Sequence, residues 1–245
     1  MNKLIMILSI AFLGFMSACS KSTTTPTPPN KNAANPSFTT GDGAIIAVMT
    51  RTSTTNFGFT TDIDLGTAVA VFGNLSTGTY NDAGTVTLNA KALTKNSNNS
   101  YVFTPSATDI KGIDFSTDID WSVGTPTFTY NCKSGTGKGM PSGAKLDGTY
   151  TFIDVNSDFT VSLNNAIGNA DSIYFQITGA SKTILKVTGG STKSASFTSA
   201  ELKTLGNTVG GSVVVAPWNH ELKTLGGKQI HVVNELALSR VVEIK

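Results

Sequence analysis

The chain has 245 residues, 18 Lys and Arg against 16 Asp and Glu, and only 14% charged side chains. So even a balance, with no basic cluster, excludes a nucleic-acid binder, which needs a concentrated positive face. The length suits one or two domains of ~100 residues each, and the abundance of Thr, Ser, Asn and Gly means that polar faces are built from hydroxyls and amides rather than charges.

The amino terminus carries a single cation, Lys3, then an apolar run from Leu4 to Phe15, about the length of a signal-peptide core. It ends in Met16-Ser17-Ala18-Cys19. These residues resemble the lipobox of bacterial lipoproteins, with Met16 standing where Leu is commonest. The resemblance implies cleavage before Cys19, a diacylglycerol on its thiol and an acylated amine. Residues 1–18 are then a lipoprotein signal peptide and Cys19 the membrane anchor. Removing the signal takes one Lys from the 18, so 17 basic and 16 acidic side chains remain. Cys132 becomes the only free cysteine, so no intramolecular disulfide is expected. Apart from the signal, no apolar stretch is long enough to span a bilayer.

Residues 19–37 read as a tether. Ser-Lys-Ser-Thr-Thr-Thr-Pro-Thr-Pro-Pro and the residues that follow favour extended, solvated backbone and offer almost nothing apolar to bury. The acidic run after the cysteine that resembles a surface-export signal in Bacteroidota lipoproteins is missing, which favours the periplasmic side of the outer membrane over the cell surface.

From Gly43 the pattern is β. Ala44 to Thr50 and Thr67 to Phe72 are apolar runs bounded by polar residues and glycine, and Val86, Leu88 and Ala90 alternate with polar neighbours. Ile119, Trp121 and Val123 share one face, and Phe128 and Tyr130 continue the period after Pro126. Short strands at ~10-residue spacing predict an antiparallel sandwich or barrel over 38–145, taken as a β-sandwich-like domain. Lys133 to Lys145, rich in Gly and Ser, reads as a linker or long exposed loop and as the boundary between two halves.

The second half, 146–245, alternates more regularly. Phe159, Val161 and Leu163 lie on one face of a strand, and Ile173, Phe175 and Ile177 on one face of another. Val213-Val214-Val215 is the continuous run of a central strand covered on both faces. Thr198-Ser199-Ala200-Glu201 has capping-box spacing and predicts one helical turn. About seven strands in ~100 residues resembles an immunoglobulin-like or fibronectin type III-like sandwich, without the cysteine pair of true immunoglobulin domains. Glu-Leu-Lys-Thr-Leu-Gly occurs at 201–206 and again at 221–226. Its flanks differ, so it reads as two similar inter-strand connections rather than a repeat fold.

Motifs that carry chemistry are scarce. Gly137-Lys138-Gly139 fails the phosphate-loop pattern, which needs Ser or Thr after the lysine. Asp114, Asp118 and Asp120 are the carboxylates nearest to a calcium-site pattern, but no twelve-residue calcium loop is present, and no metal or cofactor is expected. His220 and His231 have no third ligand at metal spacing and read as solvent-exposed or rim residues. No Ser/His/Asp frame appears, so no enzyme activity is expected. Trp218, at the loop end of a buried run, and Tyr174, outward on its strand, are the residues expected to contact a ligand. Trp121 shares a face with Ile119 and Val123 and reads as core. Asp171-Ser172-Ile173 resembles the sequon at which Bacteroidota O-glycosylate exported proteins, which makes Ser172 the position to inspect.

Lipobox, tether and sandwich together resemble the envelope lipoproteins of Bacteroidota. The resemblance implies an all-β, membrane-anchored, non-catalytic module that binds a glycan or another envelope protein, or, alternatively, a structural subunit of an envelope or surface assembly.

Overall fold

A computed structural model describes Phe38 and residues 40–56, 59–148 and 150–245, so Cys19, the signal-like segment and the tether lie outside the described residues. The long apolar runs become long strands: β1 (Gly43–Asn56) and β2 (Phe59–Asn74). Short strands follow: β3 (Thr79–Tyr80), β4 (Val86–Leu88), β5 (Lys91–Ala92), β6 (Thr94–Lys95), β7 (Tyr101–Phe103), β8 (Asp118–Val123) and β9 (Phe128–Lys133). The second half holds β10 (Phe152–Ile153), β11 (Phe159–Ser162), β12 (Ser172–Thr178), β13 (Thr183–Gly189), β14 (Ser194–Phe197), the single-turn α1 (Ser199–Leu202), β15 (Thr208–Leu225) and β16 (Lys228–Ile244). The protein is all-β.

One ten-stranded sheet runs β13-β12-β15-β16-β1-β2-β7-β6, with β10 beside β16 and β3 beside β2. Two smaller antiparallel sheets, β5-β4-β8-β9 and β11-β14, complete the fold. Nearly every pairing is antiparallel, as expected. A consequential exception is the pair formed by β1 and β16, which run parallel from Gly43 opposite Ile230 to Thr52 opposite Ser239. The sheet of the C-terminal half therefore continues into the N-terminal half through β1, unlike a self-contained immunoglobulin-like module. The sequence-derived boundary at residue 145 separates neither the sheet nor the core.

Side chains alternate across strands, so the large sheet has two faces. On the first, Ile45, Ala47, Ala68, Ala70 and Phe72 pack with Val86, Leu88, Ile119, Trp121, Val123 and Phe128 of the four-stranded sheet. In the same continuous core, Phe175, Ile177, Val213 and Val215 pack with Val161 and Phe197 of the two-stranded sheet and with Leu202 and Leu205. Each fully buried Ile or Phe contributes roughly 1.5–3 kcal/mol, so this two-layer sandwich needs no disulfide. Val213, Val214 and Val215 are all buried in a strand flanked by β12 and β16, as their continuous run predicted.

The Gly/Ser-rich stretch after β9 is not the exposed linker its composition suggested. Met140, Pro141, Ala144 and Leu146 are buried, and the backbone is tied to the first face by two facing amides. Asn219 donates its side-chain N–H to the Gly139 carbonyl (2.7 Å), and Asn234 donates to Lys138 (2.8 Å). Tyr130 donates to Glu221 at 2.5 Å, which holds β9 against the β15–β16 hairpin. That hairpin closes through Gly226 and Gly227, both with positive φ (55° and 75°), as a two-residue turn of this hand requires.

The repeated hexapeptide takes two conformations. At 201–205 it forms the end of α1 and the turn after it, started by Thr198, which accepts from the Glu201 N–H in a complete capping box. At 221–225 the same residues are the last stretch of β15, in register with Lys228 to Val232 of β16. The second copy is a strand and not a connection: hydrogen-bond register inherited from His220 overrides a sequence that can turn helically when capped.

Gly139 lies so close to β9 that an added Cβ would stand 1.8 Å from the Lys133 carbonyl oxygen. We predict that Gly139→Ala destabilises the chain by about 1–3 kcal/mol in urea unfolding. Gly168→Ala, where a Cβ meets nothing within 4 Å, should leave the midpoint nearly unchanged.

Candidate functional site

The second face of the large sheet carries the polar chemistry that the sandwich core lacks. Its side chains come from β12, β15, β16, β1 and β2. Ala44, Ile46, Val48, Val69, Val71, Val233 and Trp218 form one apolar cluster, and Val214, Ala216 and Ala237 a second beside it. Among the described residues, Phe38, Tyr80, Val102 and Tyr174 pack against them. Ile63, Leu222 and Val241 fall on the same face by alternation and are exposed at 46%, 47% and 51%.

Trp218 and Tyr174, the two residues singled out for ligand contact, meet here. β12 and β15 bring their rings into a stack, with centroids 5.7 Å apart and planes 14° from parallel. Trp218 is 3% exposed and its indole N–H has no hydrogen-bond acceptor. Burial holds the Tyr174 hydroxyl well above the usual phenol range, with the nearby Glu235 charge adding to the effect.

Glu235, on β16, sits directly across from Trp218 on β15 and from Val48 on β1. It is 6% exposed, and its Oε2 has no partner. Burial alone pushes its carboxyl up to about 7. A strand residue of the same parity as Val233 and Ala237 is forced onto the apolar face whatever its charge. Its position in the run Ile230 to Leu238 was the available sequence signal, and motif reasoning passed over it.

A histidine pair closes one end of the face. His220 and His231 stack with centroids 5.1 Å apart and share a 2.8 Å hydrogen bond between Nε2 and Nδ1. His231 Nε2 also lies 2.7 Å from the Thr40 carbonyl. A carbonyl can only accept, so His231 carries its proton on Nε2 and its Nδ1 accepts from His220. Phe38 packs edge-on against both rings. Burial, then the neighbouring His231, lowers the His220 pKa. The expectation of a solvent-exposed or rim position fails for His231, which is 2% exposed because the amino-terminal approach to β1 lies over it, while His220 is half-buried.

Ser172 is also corrected. It begins β12 between Gly189 and Trp218 and is buried, so the folded chain does not present its hydroxyl for modification. Asp171 beside it takes an ion pair from Lys138 at 2.5 Å and the His220 backbone N–H at 2.9 Å. Asp114, Asp118 and Asp120 are remote from this face, around β8. Asp114 accepts from the Ser116 N–H, and Asn89 donates to the Asp114 and Asp118 carbonyls while accepting from the Asp120 N–H. Among the described residues no group of three or more His, Cys, Asp or Glu is placed to hold a metal. Burial raises the pKa of the half-buried Cys132, which keeps the thiol protonated and a poor nucleophile. Among the described residues no helix is long and apolar enough to cross a membrane.

No protein-family model matches the chain, and no curated protein matches it. The site's chemistry is therefore read from its geometry: an apolar sheet face, a stacked aromatic pair, one buried carboxyl and two mutually bonded imidazoles.

Glu235 generates a pH dependence of defined sign. Below about 4.5 it is protonated in folded and unfolded chains alike; between that value and about 7 only the folded chain keeps the proton. Stability then falls as pH rises through this window, by about 1.4 kcal/mol per unit at most, and levels off above it. Urea unfolding across pH 4 to 8 should show Glu235→Gln losing less stability through the window than the parent chain.

Proposed function

We propose that this chain is a lipid-anchored, non-catalytic lipoprotein of the bacterial outer membrane, similar to those of Bacteroidota, that binds a protein partner through the second face of its large sheet. The lipobox-like Met16-Ser17-Ala18-Cys19 supports the anchor, and the periplasmic side remains the favoured location. The observation that carries the binding role is the exposure of three large apolar side chains on that face, Ile63, Leu222 and Val241, beside clusters that are themselves buried. Exposed apolar side chains of this size are where a protein partner would make contact. A glycan site calls for an aromatic ring offered flat to solvent; Trp218, at 3% exposure and stacked on Tyr174, does not offer one. That shifts the balance from a sugar to a protein, and makes the structural or assembly role a close variant of the same reading. The two imidazoles are engaged with each other and with the Thr40 carbonyl, which supports a binding rather than a catalytic role.

The test is a photo-activatable residue at Leu222 in the full chain, expressed in its own envelope. A discrete protein adduct in the membrane fraction is expected, with none from the same residue at Lys203, beside α1 on the other side of the sheet. Cys19→Ala should leave the membrane fraction and lose the adduct. Equal labelling from both positions, or membrane retention without Cys19, would contradict the proposal.

A further inference from the structure

The histidine pair is a hydrogen-bond chain whose direction is fixed. His220 donates from Nε2 to His231 Nδ1 at 2.8 Å, and His231 donates from Nε2 to the Thr40 carbonyl at 2.7 Å. Both ring nitrogens of His231 are thus committed, one as acceptor and one as donor. A proton added at its Nδ1 sets donor against donor, between rings stacked with centroids 5.1 Å apart. His220 Nδ1 is the position left at which the intact pair can take a proton. What the pair holds is the amino-terminal approach to β1: Phe38 packs edge-on against both rings, and Thr40 accepts from His231. From Asp42 onward the chain is fixed by other means. The Asp42 N–H donates to the Gln229 carbonyl at 2.7 Å, its carbonyl accepts from the Gly73 N–H at 2.6 Å, and its Oδ2 accepts from the Gln229 N–H at 2.9 Å. We propose that the His220–His231 pair is an acid-released clasp, which holds Phe38 and Thr40 on the sheet while both rings are neutral and frees the chain back to Asp42 when both are protonated.

Proton counting gives the direction. Released imidazoles in water titrate near about 6.5, so the open state takes up two protons where the clasped pair holds at most one. Each pH unit below about 6.5 therefore favours release by roughly tenfold to a hundredfold. Burial and then the neighbouring His231 oppose a charge on His220 in the clasped state, as does Lys138. Asp171 and Glu221 favour that charge, but both are engaged elsewhere. Asp171 pairs with Lys138 and accepts the His220 backbone N–H, and Glu221 accepts from Tyr130. Asp42, the carboxylate of the amino-terminal approach, accepts from Gln229. Freeing the chain back to Asp42 lengthens the approach to the sheet by about four residues, roughly 13 Å at full extension. Glu235 shifts global stability with the opposite sign over an overlapping range, so the clasp has to be read locally.

The clasp does not depend on the binding role proposed above. The chain has two histidines, so isotope-labelled histidine reports on both rings without ambiguity. In the full chain in detergent micelles, NMR shifts of the imidazole nitrogens give the tautomer and charge of each ring, and amide relaxation gives the order of Thr40 and Gly41. At pH 8 both rings should be neutral, with the His231 proton on Nε2 and both amides ordered. Toward pH 5 both rings should charge as Thr40 and Gly41 lose order, reversibly, while Ala44 to Val48 stay ordered. Two substitutions remove the titrating ring: His231→Gln, whose amide offers a donor and an acceptor, and His231→Phe, which offers neither. In both, order at Thr40 and Gly41 should no longer vary between pH 8 and 5, and in His231→Phe it should be lost throughout. Order that persists to pH 5 in the parent chain, that still varies with pH in either variant, or that survives His231→Phe would overturn the inference.

Discussion

The parallel pairing of β1 with β16 is the constraint on which the rest of the structure depends. It joins residues 187 apart in sequence, as the 3.0 Å contact between the Thr52 and Ser239 hydroxyls shows. Parallel neighbours cannot be linked by a tight turn, and here most of the chain forms the connection. Everything between must return to the sheet. The two smaller sheets do so on the first face, and the loop after β9 fills the seam between them, held by Asn219 and Asn234. Those two amides face each other on β15 and β16, so the same hairpin that receives β1 also fixes the loop.

The second face of the large sheet is buried as well: Ile46, Val71, Trp218, Val233 and Ala237 are all 3% exposed or less. It combines a Trp–Tyr stack and a carboxyl of raised pKa with, at one end, a histidine pair whose tautomers are set by the Thr40 carbonyl. They are polar functions buried among apolar side chains, where the low dielectric strengthens each hydrogen bond that is made and raises the cost of each that is not. The histidines act on the fold itself: they hold Phe38 and Thr40 against the sheet where β1 begins.

Much of the architecture was legible because it is local. Alternation located Ile173, Phe175 and Ile177, the unbroken run located Val213 to Val215 in a doubly flanked strand, and the capping box located α1. What stayed hidden was non-local. No pattern in Ala44 to Thr50 states that its partner is Ile230 to Ser239, or that the pair is parallel. The Gly-rich stretch 133–145 reads as a linker because composition does not record that Met140 and Ala144 have a sheet face to pack on. The hexapeptide at 201 and 221 makes the same point from one sequence in two structures. Trp218 and Tyr174 were found as residue types; their stacking, and Glu235 opposite, needed the register of three strands.

The account's central claim is that both halves share one sheet and one core, and each half carries one tryptophan, Trp121 and Trp218, to report on it. The measurement that tests it most directly is urea unfolding of the single-tryptophan chains Trp121→Phe and Trp218→Phe, followed by fluorescence and by circular dichroism. The account predicts that, within each chain, both signals change in a single transition at the same midpoint. Two separated transitions, with the Trp218 signal following residues 146–245 alone, would show independent halves and contradict it.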